Sequence, residues 1–403
     1  TTSTTKSPIL RALAINPQSA IWNLGFRPFF LGAAIFAVVS MALWMGVYLW
    51  QWPLAMTGIS IVQWHAHEMI YGFAVAVIAG FLLTAVKNWT GVQTLHGVGL
   101  LALFGVWAAA RVLWLFGTPL LFVAGFFELL FMLGLITALV DPIRKAKQWQ
   151  QSGIIAILAL LLLGNALFYL GAAGLMESGV FIGLRGGLFL IVGLVLFMGR
   201  RVIPFFIEAG VGYPLKVVNS RRLDIAIIGL YVLFLMAEVG IGHPWLTALF
   251  ASGLLITNSI RLAGWYTPGI WKKPLLWSLF VAFIAINFGF LLLALTPVLN
   301  LPTLVVLHAF SVGGIGVMIL SMMARVTLGH TGRNVQKPPS TVPIALAVLV
   351  LGAVVRVIVP LLVSKHYLMW VAISQLLWIA AFLIFLVSYL PMLIRPRVDG
   401  QPG

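Results

Sequence analysis

Of the 403 residues, 62% are hydrophobic, 8% are charged and none is cysteine. A typical soluble chain is about half apolar and about a quarter charged, so this composition excludes a water-soluble surface and points to a polytopic membrane protein. The formal charge of +16 fits basic cytoplasmic loops rather than nucleic-acid binding, and the absent thiols exclude disulfides, iron–sulfur ligation and covalent c-type haem attachment.

Roughly 20 apolar residues cross a bilayer. The sequence divides into about twelve such runs, near 28–50, 61–86, 97–116, 119–140, 152–173, 180–206, 222–242, 244–263, 274–295, 301–326, 341–363 and 367–394. The expected fold is therefore all-α, a single transmembrane domain over residues 1–403. The polar start of the chain has no apolar segment of signal-peptide length, so the first run is expected to direct the chain to the membrane itself. Tight turns at Gly117-Thr118-Pro119, Gly242-His243-Pro244 and 296–302 lie on one side. The other side carries the longer, basic connections, from Lys6, Arg11 and Arg27 at the start to Arg395 and Arg397 after the last run. Among loop residues, Lys365 is the one lysine or arginine on the side of the tight turns. The positive-inside rule then places both termini in the cytoplasm.

Charged and imidazole side chains within a bilayer are costly and are functional candidates by default. In chain order they are His65, His67 and Glu68 in span two, Arg111 in span three, Glu128 in span four and Arg185 in span six. Glu238 follows in span seven, His308 in span ten and Arg356 in span eleven. All fall toward the periplasmic ends, so polar chemistry is expected at one depth. His65, Glu68, Gly72, Ala76 and Ala79 recur at helical spacing and are expected to share one face. His67 points about 160° from His65 on a regular helix, so the two share a site only if the helix begins near them; otherwise they serve different sites. His308 precedes Gly313, Gly314 and Gly316. An imidazole beside such a bare surface suits an axial haem ligand with room for the macrocycle, although close helix packing also uses glycine.

These observations give candidate ligands His65, His67 and His308 for a metal or a non-covalent, b-type haem. Arg111, Arg185 and Arg356 are candidates for its propionates. Tyr71, one turn below His67, reads as a proton-path residue or a core aromatic. Asn165, Asn258, Asn287 and Gln375 read as interhelical hydrogen-bonding residues. His96, His243 and His366 read as solvated. His330, within Arg325 to Arg333, reads as part of an anion or headgroup site or as an inner-leaflet anchor.

At several of these residues the chain resembles a known family, NnrS. The resemblance rests on Gly25-Phe26-Arg27-Pro28-Phe29-Phe30, Trp64-His65-Ala66-His67-Glu68-Met69 and the segment from Gly80 to Gly91. Gly199-Arg200-Arg201-Val202-Ile203-Pro204-Phe205-Phe206 and Arg325 through Arg333 complete it. It implies a bacterial inner-membrane protein of twelve helices, containing haem and copper and associated with nitric oxide and nitrosative stress. A more distant analogy is to haem–copper oxidases and nitric oxide reductases, whose second and tenth helices hold a low-spin haem. Spans six and seven here contain no histidine, so the binuclear centre of that superfamily cannot be built. Copper would have to share the span-two histidines, use Met69 or bind elsewhere.

The function expected on this basis is a haem-dependent nitric oxide oxidoreductase, drawing electrons from a quinol or a periplasmic protein. Glu68, Glu128 or Glu238 would relay protons, with Glu68 the first choice. The cytoplasmic halves of spans two and ten lack carboxylates, so protons would arrive from the periplasm. The alternatives are a haem protein that captures nitric oxide without turnover, and a haem or copper transporter. Membrane lipids are its surroundings, and no nucleic-acid partner is expected.

Overall fold

The computed structural model describes residues 19–363 and 365–401. Lys6 and Arg11, counted above on the basic side, lie outside the described residues. Twelve helices are long and apolar enough to cross a membrane, and no strand occurs among the described residues. They run Phe26–Leu49, Ile61–Thr90, Gly97–Trp114, Thr118–Lys145, Trp149–Ala172, Gly179–Gly210, Arg221–Ile241, Pro244–Trp265, Pro274–Leu299, Thr303–His330, Thr341–Leu362 and Tyr367–Ile394. Span six extends to Gly210 and span ten to His330, about one turn beyond the apolar runs.

Local chemistry sets the helix ends. Span two starts in a capping box: Gln63 N donates to Ser60 Oγ at 3.2 Å and Ser60 N donates to Gln63 Oε1 at 2.7 Å, which satisfies two otherwise orphaned donors. It stops at Gly91, whose positive φ of 71° is the left-handed conformation that glycine adopts freely. The turn between spans three and four packs against the loop after span one. Thr118 N donates to Ala55 O at 2.9 Å, and a Cβ at Gly117 would collide with the same carbonyl.

Span two is central, with 83% of its apolar window buried, against 33% for span three. It packs on spans one, four, six and ten. Span one also packs on span twelve, which brings the two ends of the bundle together. Arg27 seals this contact. Fully buried, it donates through Nη1 to Leu393 O at 2.9 Å and Arg395 O at 2.7 Å. These are carbonyls that the end of the last helix cannot bond itself.

Among the described residues, three spans widen locally from α-geometry. Glu68–Ala74 in span two, Met236–Ile241 in span seven and Ala309–Gly316 in span ten are wider π-helical turns. Such bulges occur frequently at functional sites. Here each contains or directly follows a candidate residue: Glu68, Glu238 and His308.

Candidate functional site

The polar residues sort into a closed cluster, an open cavity and a polar pocket between the cavity and the surface. The closed cluster joins spans two to five. His67, with 0% of its surface exposed, sits between acceptors: its Nδ1 lies 3.1 Å from Glu68 Oε1, and its Nε2 lies 3.0 Å from Asn165 Oδ1 and 3.2 Å from Glu128 Oε2. Arg111 bridges Glu68 and Glu128 with charge-assisted hydrogen bonds to both. Tyr169 OH donates to Glu128 Oε2 at 2.5 Å and receives Trp114 Nε1–H at 3.0 Å. Phe168 stacks on the His67 ring with centroids 4.1 Å apart. Tyr71 flanks the same ring at 5.2 Å and donates to Gly183 O at 2.7 Å.

His67, Glu68 and Glu128 form a donor set of the type that holds a metal, with ligand atoms within 4.8 Å of one another. Both nitrogens of His67 face oxygen acceptors, however, and Arg111 already supplies positive charge between the carboxylates. A guanidinium there does electrostatically what a cation would do.

The open cavity lies on the other side of span two. His65 and His308, both half-buried, line it together with Trp44, Met69, Arg356 and Gln375. It continues past Ser311 and Leu307 to Arg185, where its volume is about 350 Å³. The His65 ring stacks on Trp44, centroids 4.4 Å apart and planes within 9°. His308 bonds through Nδ1 to Leu304 O at 2.5 Å; as donor, Nδ1 leaves the Nε2 lone pair free, the usual arrangement in a metal-ligating histidine. Arg356 has no carboxylate partner among the described residues, and its Nη1 is buried without a hydrogen bond. Both amide atoms of Gln375 are likewise buried and unpartnered. Buried polar atoms are nearly always satisfied, and these are left without a hydrogen-bond partner among the described residues. Met69 sulfur accepts a hydrogen bond from Ser40 Oγ at 3.7 Å and faces the same cavity.

The polar pocket, about 290 Å³, is lined by Arg185, Glu238, Thr247, Thr296 and Thr303. Arg185 Nε lies 2.8 Å from Glu238 Oε1. Arg185, Phe181, Thr303 and Leu307 also line the open cavity, so the ion pair stands between it and the tight-turn side.

The candidates are therefore brought together differently from a single shared site. His65, His308 and Arg356 converge. His67, Glu68, Arg111, Glu128 and Tyr71 form a separate cluster, and Arg185 with Glu238 makes the third group. Glu68 does not share the His65 face, because the wider turn starts at Glu68 and rotates it toward Arg111. Tyr169, Trp44 and Trp114 were not singled out in the sequence, where they look like ordinary apolar-helix aromatics. Asn287 and Asn165 make their expected interhelical bonds, to Ser259 Oγ at 3.0 Å and to His67 Nε2 at 3.0 Å, whereas Asn258 donates within its own helix to Leu254 O at 3.0 Å and Gln375 faces the cavity. At the basic end, His330 Nε2 lies 3.3 Å from Asn88 Nδ2 and its carbonyl accepts from Arg397 at 3.2 Å.

Compared with known protein families, residues 20–397 match the family described as NnrS protein. No curated protein matches the chain.

Proposed function

Because the chain belongs to the NnrS family, membrane proteins linked to the nitric oxide response and associated with haem and metal binding, we propose that it is a haem-dependent nitric oxide oxidoreductase of the bacterial inner membrane. The observation that carries this reading is the convergence of His65 and His308 on one cavity that also holds Arg356, which has no carboxylate partner among the described residues, and the unpartnered amide of Gln375. The His65 and His308 imidazoles, from two different helices, would hold a b-type haem. Arg356 and Gln375 suit its propionates, since a guanidinium left without an anion at this depth is costly. Bound there, the haem would supply a redox-active iron, with one imidazole holding it and the other standing on the side left for the gas.

The protein's own residues then fix the tautomer and deliver protons. The His308 Nδ1 contact to Leu304 O orients its ring, and Trp44 holds the His65 ring by stacking. Reducing two nitric oxide molecules to nitrous oxide and water consumes two electrons and two protons. The electrons come from a quinol or a periplasmic protein. For the protons we favour Glu238 over Glu68, because Glu238 lines the pocket adjoining the cavity while Glu68 is locked to His67 and Arg111. With basic loops in the cytoplasm, that pocket faces the periplasm.

Absorption spectra of the purified protein, oxidised and dithionite-reduced, before and after nitric oxide, test the reading together with gas analysis. A reduced haem spectrum that changes with nitric oxide, and nitrous oxide formed when reductant is supplied, are expected. A haem that binds nitric oxide without forming nitrous oxide would instead support capture without turnover.

A further inference from the structure

Below the histidine cavity, toward the basic side, lies a second space between spans two, six and ten. Its volume is about 90 Å³, and no polar side chain lines it. Ile191 and Ile315 line both this cleft and the histidine cavity, so the two spaces adjoin at these side chains. At its outer edge Ile78, Phe81, Val195, Val202 and Met322 are partly exposed on the flank of the bundle, where lipid surrounds a membrane protein. Met198 and Met318 line the interior, and unbranched thioethers change rotamer easily.

We propose that this cleft is a lateral passage by which a small uncharged gas moves from the bilayer to the cavity of His65 and His308. The inference rests on the preceding reading for the use made of the gas at the far end. The occupant is set by size and chemistry. Apolar cavities of this kind stay dry and take xenon or similar solutes, and the volume is a few times the ~30 Å³ share of one water molecule. That admits a diatomic molecule. Ions and water gain no hydrogen bond there, whereas nitric oxide loses none. The bundle thus separates two kinds of traffic: an apolar substrate through the lipid-facing cleft, and protons by the Arg185–Glu238 pocket.

Two measurements test this. Crystals of the protein pressurised with xenon should show xenon in the cleft, and Val195→Trp, which changes only the outer lip, should abolish or displace it. In the haem-loaded protein, recombination of carbon monoxide or nitric oxide after flash photolysis should slow severalfold in Val195→Trp and Ile315→Phe, and should hold or quicken in Ile315→Ala, with the equilibrium haem spectrum unchanged in Val195→Trp. No xenon in the cleft overturns the proposal, as do unchanged recombination rates in both narrowed variants. If Ile315→Phe does not fold, Val195→Trp alone carries the kinetic comparison. Xenon binding needs no haem, so a haem-free protein with xenon in the cleft would sink the preceding reading and leave the gas site standing.

Discussion

His65 and His67 are two residues apart in span two yet stack on opposite partners, His65 on Trp44 at 4.4 Å and His67 on Phe168 at 4.1 Å. Half a helical turn separates their rings, and the π-turn that starts at Glu68 carries the acid to the His67 side. A single short motif thereby serves two sites: one imidazole opens on a cavity, and the other anchors a buried ion network among spans two to five.

That network is expected to hold the bundle together. Arg111→Met leaves two carboxylates facing each other without their cation, and removing one partner of a buried pair costs about 3–5 kcal/mol. Thermal unfolding in detergent should show a large loss for Arg111→Met, and a smaller one when Glu128→Gln is added, because that change removes one of the stranded charges. Equal losses in the single and double variants would show that Arg111 acts by packing rather than by charge.

Arg27 should act as a structural clasp. Its guanidinium satisfies the carbonyls of Leu393 and Arg395, and leaving buried acceptors unpaired costs about 1–3 kcal/mol. Arg27→Ala is expected to expose the end of span twelve to limited proteolysis while leaving the haem spectrum unchanged. Wild-type resistance to the protease would contradict this.

The twelve spans were legible because a bilayer allows few ways to satisfy a backbone, and apolar length alone reveals them. The candidate polar residues were legible too, since a charge in hydrocarbon stands out. What could not be read was the partition among sites. His65 and His67 diverge as a regular helix requires, but Glu68 joins the His67 side through a widening of the helix, and nothing in Glu68-Met69-Ile70-Tyr71 announces a π-turn. Gln375 resembles Asn287 in sequence, yet Asn287 bonds Ser259 and Gln375 faces a cavity. Which of two buried amides finds a partner depends on helix rotation and on a distant span.

For proton delivery, Glu238→Gln should lower nitrous oxide formation severalfold with nitric oxide binding intact, because the amide keeps the shape of the Arg185 contact and cannot release a proton. Glu68→Gln should mainly lower thermal stability. Turnover that survives Glu238→Gln but fails in Glu68→Gln, at unchanged stability, would return the role to Glu68. In proteoliposomes with an enclosed pH indicator, uptake should come from the side away from the basic loops.

Haem binding at the cavity is tested most directly by the reduced absorption spectrum and haem content of His65→Ala, His308→Ala and His67→Ala, purified side by side. His65→Ala and His308→Ala should each lose the haem or shift its bands, whereas His67→Ala should keep the band positions with reduced thermal stability, since His67 is enclosed by Glu68, Asn165 and Glu128. Wild-type bands and haem content in both His65→Ala and His308→Ala would contradict the assignment of the cavity.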